Sequence, residues 1–242
     1  MLLFLAVGIG VIFLAHSAPF PFLLEAFSPS RSIWRVPDER GRKGPPLIYL
    51  TYDDGPNPAA TPALLDVLRQ TGTQATFFLI DAHLTESTAP IVRRMFDEGH
   101  AVALHSDTRA LMIKTPSELA ALLTGYADRI ERLAGKRPCR LFRPHAGWRS
   151  GSMYEGLTEI DHQLVGWSWG LWDWNWFRPP DAERLARRLA KRASRGDIIV
   201  LHDGHHVDPA PDRRYAVEAT RQLVPALKQR GYGFGRLCAP AP

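Results

Sequence analysis

Between Leu47 and Leu237, short apolar β-rich runs alternate with stretches whose apolar residues recur at helical spacing. The β-type runs are Leu47–Tyr52, Ala75–Ile80, Ala101–Leu104, Arg140–Phe142, Gln163–Trp169, Asp197–Leu201 and Gly233–Leu237. The helical stretches are Thr61–Gln70, Pro90–Asp97, a long one opened by Thr115-Pro-Ser-Glu118, then Asp181–Ser194 and Ala216–Lys228. Leu119, Leu122, Leu123, Tyr126, Ile130 and Leu133 make one stripe along the long helix. Pro225 is expected to kink the last one. Strands that alternate with helices join as parallel neighbours, so the pattern predicts an α/β barrel or an open parallel sheet. No internal repeat is present.

The first run ends in adjacent carboxylates, Asp53 and Asp54, followed by a Gly-Pro break. Neighbouring acids repel unless a cation or a shared proton separates their roles. Further strand ends carry His105, Arg143, Asp173 and the pair His202-Asp203. In a barrel these ends share one rim, where chemistry is placed. Singly, each has a plainer reading: an Asp capping a helix, a satisfied core histidine, an arginine in a structural ion pair. Their coincidence on one rim favours function. Carboxylate with imidazole suits a divalent metal such as zinc, which makes hydroxide from water and polarises a carbonyl. A second carboxylate can take the water's proton, and a histidine opposite can protonate the leaving group. That combination hydrolyses amides or esters.

The order of motifs resembles the NodB-type polysaccharide deacetylases, carbohydrate esterase family four. The resemblance covers roughly Leu47 to Leu237. It rests on Thr51-Tyr-Asp-Asp-Gly55, His105-Ser106, Phe142-Arg-Pro144 with Gly147, Asp173-Trp174 and Leu201-His-Asp203. Ala75-Thr-Phe-Phe78 and Gly99-His100 match as framework. The resemblance implies a distorted (β/α)7 barrel that removes N-acetyl, or O-acetyl, groups from an envelope polysaccharide or glycan. By position it implies Asp53 as general base, with Asp54 and His105 as metal ligands. Arg143 would hold Asp53, and Asp173 would orient Arg143. His202 would be the general acid, Leu201 would line the acetyl pocket, and the Ala146 N–H would help hold the oxyanion. Apart from the resemblance, Trp174 and Arg109 are candidates for contact with substrate.

One motif departs from the family. Four residues after His105, where the family has a second histidine, stands Arg109. A guanidinium stays protonated and has no lone pair for a metal. Three outcomes follow. Asp107, His83 or His145 completes the site; or the Arg109 cation replaces the metal's charge, giving metal-independent hydrolysis of another C–N bond; or the domain binds carbohydrate without catalysis. The aromatic residue of the family's third motif is also missing, with His145-Ala146 in that region. Trp172, Trp174 and Trp176 alternate, which would place them on one side of an extended segment as platforms for sugar rings. His205 and His206 are expected at the rim rather than among the ligands.

Composition adds boundaries. The 242 residues, 45% hydrophobic and 23% charged, suit one domain with an appendage. A net charge of +5 fits an anionic envelope surface, and no motif points to nucleic acid. Two cysteines, Cys139 and Cys238, are too few for a disulfide framework. They are expected to pack as small apolar residues, with a single bridge open to them if the domain is exported. Residues 1–27 read as a hydrophobic anchor or signal segment, 28–46 as a linker and 47–238 as the catalytic domain. The chain is thus expected to be membrane-anchored or exported to a bacterial envelope, although arginines after the apolar segment favour a cytoplasmic flank.

Overall fold

The computed structural model describes residues 32–37, 44–174 and 180–238. The expected anchor or signal segment, part of the linker, and Trp176 lie outside these residues. All seven anticipated strands form: β2 (Leu47–Gly55), β3 (Thr76–Ile80), β4 (Ala101–His105), β5 (Leu141–Arg143), β6 (Gln163–Val165), β7 (Ile198–His202) and β8 (Gly233–Gly235). A further short strand, β1 (Ser32–Ile33), comes from the stretch expected to be linker and pairs with β6. Ile33 and Trp34 form an apolar island there, and Trp34 meets Trp167 edge-on at 6.0 Å between centroids. That burial anchors a segment whose Ser, Pro and Arg content reads as unstructured.

Every ladder is parallel, in the order β1-β6-β5-β4-β3-β2-β7, with β8 also on β2. The sheet curls until the chain beyond β6 reaches β7, but the junction is only an isolated bridge, Trp172↔Val200, with Ser168 N–H donating to the Ile198 carbonyl. The result is a distorted, incompletely closed parallel barrel.

The helices are α1 (Thr61–Gln70), α2 (Ala89–Asp97), α3 (Pro116–Ala134), α4 (Gly151–Glu159), α5 (Ala182–Arg192) and α6 (Arg214–Gln229). Helix α3 starts in a complete Thr115/Glu118 capping box and ends at Gly135 with φ 77°. Helix α6 runs on through Pro225. Helix α4 was not legible in the sequence, because Gly151 and Gly156 dilute its apolar periodicity. Gly156 has a packing reason: a Cβ there would sit 2.5 Å from the Pro116 carbonyl oxygen.

Alternation along the strands makes two cores. Ile48, Leu50, Tyr52, Phe77, Leu79, Val102, Leu104, Phe142, Ile199 and Leu201 face the helices, against residues such as Leu64, Leu68, Leu223 and Leu227. Phe78, Ala103, Val165, Trp167, Ile198 and Val200 have the opposite parity and form the inner core. Asp53 has the inner parity too, so the rim that carries it is the continuation of that core.

Cys139 and Cys238 are bonded, not merely packed as small apolar residues, with Cα atoms 6.4 Å apart and a separation of 99 in sequence. The bridge ties the segment after β8 to the turn before β5. Closing so long a loop restricts the unfolded chain, a contribution of about 2–5 kcal/mol. The double variant Cys139→Ala/Cys238→Ala is therefore expected to melt roughly 5–15 °C lower. Scanning calorimetry with and without reductant checks this, since reductant should lower only the wild-type transition.

Candidate active site

Successive residues of a strand face opposite ways, yet Asp53 and Asp54 both reach one cavity. The cause is a bulge: the register against β3 shifts between Asp53 and Gly55, and Asp54 takes φ 72°. Two neighbours hold this conformation. The His83 Nδ1–H donates to the Asp54 carbonyl at 3.0 Å. Gly204 packs directly below, where a Cβ would lie 1.9 Å from the same oxygen, so only glycine fits.

The cavity, about 420 Å³, is lined by Asp53, Asp54, His105, Arg109, His145 and Ala146. Trp174, Asp173, Val200, His202 and Tyr215 line it as well. Most sequence-predicted site residues thus meet in one place. At Asp53, the fully buried Arg143 Nη1 donates to Asp53 Oδ1 at 2.5 Å and to Thr51 Oγ1 at 2.8 Å. Its Nη2 donates to the Gly166 carbonyl at 2.7 Å, and its guanidinium carbon lies 4.0 Å from the Phe78 ring centroid. These contacts fix the arginine, and through it the orientation of the Asp53 carboxylate.

Asp173 does not orient Arg143. It holds His202 instead: Oδ1 accepts from His202 Nδ1–H at 2.7 Å and Oδ2 from the His202 backbone N–H at 2.8 Å. The reason is topological. Asp173 follows the Trp172↔Val200 bridge and so lies beside the end of β7, whereas Arg143 reaches from β5 to β2. Tyr215 O–H also donates to Asp173 Oδ2, at 3.1 Å, and accepts from Arg213 at 3.0 Å. Burial disfavours the His202 imidazolium, but the carboxylates of Asp173, Asp54 and Asp53 outweigh it and raise its pKa to about 9. With Nδ1 committed to Asp173, Nε2 is the ring's free nitrogen.

Leu201 is fully buried among the helix-facing residues, so it does not line the cavity. Val200, of the same parity as His202, forms that wall. Ala146 does line the cavity, in a short turn (His145–Gly147) where its φ is 53°.

The third residue that could donate to a metal is His145. Donor atoms of Asp54, His105 and His145 all lie within 4.8 Å of one another. Neither Asp107 nor His83 belongs to the set: Asp107 is outside the cavity, and the His83 ring is engaged with backbone. His105 Nδ1–H donates to the Arg143 carbonyl at 2.6 Å, which leaves the Nε2 lone pair 3.2 Å from Asp54 Oδ1. That oxygen is buried and has no hydrogen-bond partner among the described residues. Ser106 Oγ accepts from the His145 backbone N–H at 2.8 Å, so the His105-Ser106 motif also positions the His145 loop.

Burial, with repulsion from His105, lowers the His145 pKa to about 4, so its ring is neutral at neutral pH. One carboxylate and two imidazoles facing an open cavity fit a divalent ion of the zinc type. Arg109 lines the same cavity without entering this set.

Sequence reasoning missed Tyr215, Arg213 and Val200. Tyr215 and Arg213 sit where a Gly/Pro-rich loop runs into a helix, with no local pattern to mark them. Trp172 and Trp174 stack at 4.9 Å as their alternation suggests, and Trp174 lies edge-on to His202 at 5.8 Å. His205 and His206 line the rim, with His206 4.7 Å from the His145 ring.

Comparison with known proteins agrees with this geometry. A family described as polysaccharide deacetylase matches residues 40–165. A peptidoglycan-N-acetylglucosamine deacetylase of Bacillus cereus is 32% identical over 201 residues, 83% of this chain and 88% of the relative. A chitooligosaccharide deacetylase of Sinorhizobium fredii is 34% identical, over 80% of this chain and 91% of its own. Among solved structures, a family 4 acetyl xylan esterase from Clostridium thermocellum, in complex with a cobalt ion, superimposes with a TM-score of 0.69. It is 31% identical and the match covers 79% of this chain and 88% of that one.

Proposed function

The chain belongs to the polysaccharide deacetylase family, in the NodB-type branch of carbohydrate esterase family four, and we propose that it hydrolyses N-acetyl groups from an acetylated envelope glycan. The bond broken is a non-peptide carbon–nitrogen bond. The observation that carries the reading is the meeting of two oriented groups in one cavity, on the ends of neighbouring strands: Asp53 held by Arg143, and His202 held by Asp173.

Asp53 takes a proton from the attacking water, and its carboxylate is kept in place by the buried guanidinium. His202 Nε2 gives a proton to the departing amine nitrogen, and Asp173 stabilises the imidazolium beforehand. The Ala146 N–H is the donor proposed for the oxyanion. Val200 bounds the space for the acetyl methyl, and Trp174 offers a face to the sugar. Asp54, His105 and His145 would hold a divalent ion, zinc by donor chemistry, which when bound supplies Lewis acidity toward the water and the acetyl carbonyl. That third donor weakens the alternatives in which Arg109 substitutes for the metal or the fold has lost catalysis.

The disulfide supports an oxidising compartment, in line with export to the cell envelope. Attachment to a membrane through residues 1–27 is part of the proposal. No helix among the described residues is long and apolar enough to cross a membrane.

The test is acetate release from N-acetylglucosamine oligomers by the zinc-loaded protein, followed against pH. Activity is expected to fall as pH rises through the His202 pKa of about 9, because the acid form is lost. In Asp173→Asn the charge that raises this pKa is gone, so the alkaline limb should move to lower pH. No release from any acetylated amino-sugar oligomer would overturn the reading.

A further inference from the structure

The segment that carries β1 spans the open seam of the barrel, between β6 and the start of β7. On one side Ser32 and Ile33 pair with Leu164 and Val165. On the other, Arg35 bridges to Asp197 and forms an ion pair with it at 2.9 Å, and the Val36 N–H donates to the Gly196 carbonyl at 2.8 Å. Between these two ends the Trp34 carbonyl accepts from Ser168 Oγ at 3.0 Å. The family match, residues 40–165, does not include this segment.

Its middle reaches Arg143 by two routes. The first is the backbone of Gly166, which is buried. The Gly166 N–H donates to the Ile33 carbonyl at 2.8 Å, and the Gly166 carbonyl accepts from Arg143 Nη2 at 2.7 Å. The Trp34 ring packs directly on this residue: a Cβ there would lie 1.8 Å from two of the ring carbons, so only glycine admits the indole. The second route is Trp167, which meets Trp34 edge-on and lines the cavity. The Trp167 ring centroid is 6.0 Å from the Arg143 guanidinium carbon. Trp34 is itself braced from outside the seam, with the Arg149 guanidinium carbon 4.8 Å from its ring centroid. A fully buried guanidinium has no water to replace a lost acceptor. Its fork is also a rigid plane, so a shift of the Gly166 carbonyl at Nη2 is carried to Nη1 and to the Asp53 carboxylate.

We propose that Trp34 is a positioning residue for the base: the segment over residues 32–36 acts as a missing stave of the barrel and sets, through Gly166, where Arg143 holds Asp53. The inference rests on the deacetylase reading, in which Asp53 takes the water's proton.

The test is acetate release from N-acetylglucosamine oligomers by the zinc-loaded full chain and its variants, each measured well below its melting transition. Trp34→Ala is expected to lower kcat by about 10- to 100-fold, the cost of a misplacement on the order of 1 Å, with KM and zinc content unchanged. Trp34→Phe keeps a ring on Gly166 and should recover most of the rate. Gly166→Ala drives a methyl into the indole and should also lower kcat. In the double variant Trp34→Ala/Gly166→Ala the indole is gone, so the two losses should not multiply. If Trp34→Ala does not fold, Trp34→Leu takes its place with the same expectation. A segment that only adds stability would lower the melting temperature and leave kcat alone. Unchanged kcat in the folded variant, no recovery in Trp34→Phe, or losses that multiply in the double variant overturns the proposal. If the wild type itself releases no acetate, the deacetylase reading fails. Solvent exchange of the Arg143 guanidinium protons, followed by nitrogen-edited NMR, then decides the positioning alone. Exchange faster by about 10-fold or more in Trp34→Ala upholds it, and a smaller change or none overturns it.

Discussion

His145→Ala is expected to leave the protein unable to retain a divalent ion through gel filtration, and its hydrolytic activity should drop to that of the chelator-treated wild type. The ring is one of three donors within mutual reach, and without it a single carboxylate and a single imidazole remain. Loss of groups that merely orient a ligand already weakens metal binding by about 10–100-fold, so loss of a ligand should cost more than about 100-fold. Metal analysis and zinc titration give a readout independent of turnover. Asp107→Asn is the control, since that side chain lies outside the cavity. Full zinc occupancy in His145→Ala would remove His145 from the ligand set and reopen the question of what balances Asp54.

Asp53→Asn should lower kcat by about 10²–10⁴-fold with a smaller change in KM, the range ascribed to general base catalysis. The amide is nearly isosteric and its oxygen can still accept from Arg143, so the wall of the cavity keeps its shape. The guanidinium loses its only carboxylate partner among the described residues, however, and it is fully buried. Breaking a buried ion pair costs up to about 3–5 kcal/mol, so a lower melting temperature should accompany the loss of rate. Zinc content should be unchanged, which separates this variant from His145→Ala. Retained turnover in a folded, zinc-loaded Asp53→Asn would assign the base elsewhere.

Much of this was legible because strands and helices announce themselves through period, and because reactive groups at strand ends share a rim. Asp53, Asp54, His105 and His202 needed no more than that. The role of His145 was harder to see: it depends on a three-residue turn folding over the end of β4, held by the hydroxyl of Ser106. The partner of Asp173 depends on which edge of the sheet meets β7, and sequence order alone does not state how a barrel closes. Leu201 against Val200 is a question of parity, settled only once the inward face of β7 is known. The disulfide joins positions whose separation along the chain gives no hint of proximity, and β1 is two residues long, too short for any periodicity.

The bulge at Asp54 places two duties on one peptide unit. The distance between the proposed proton acceptor and the proposed metal donor is then set largely by covalent geometry, with Cα atoms about 3.8 Å apart across a trans peptide, and much less by how the surrounding helices settle. Loosening of the outer shell should spare that spacing. Divergence among such enzymes in what they accept would accordingly arise from the separate turns that present His145, Arg109 and Trp174, which can shift without disturbing the acid pair.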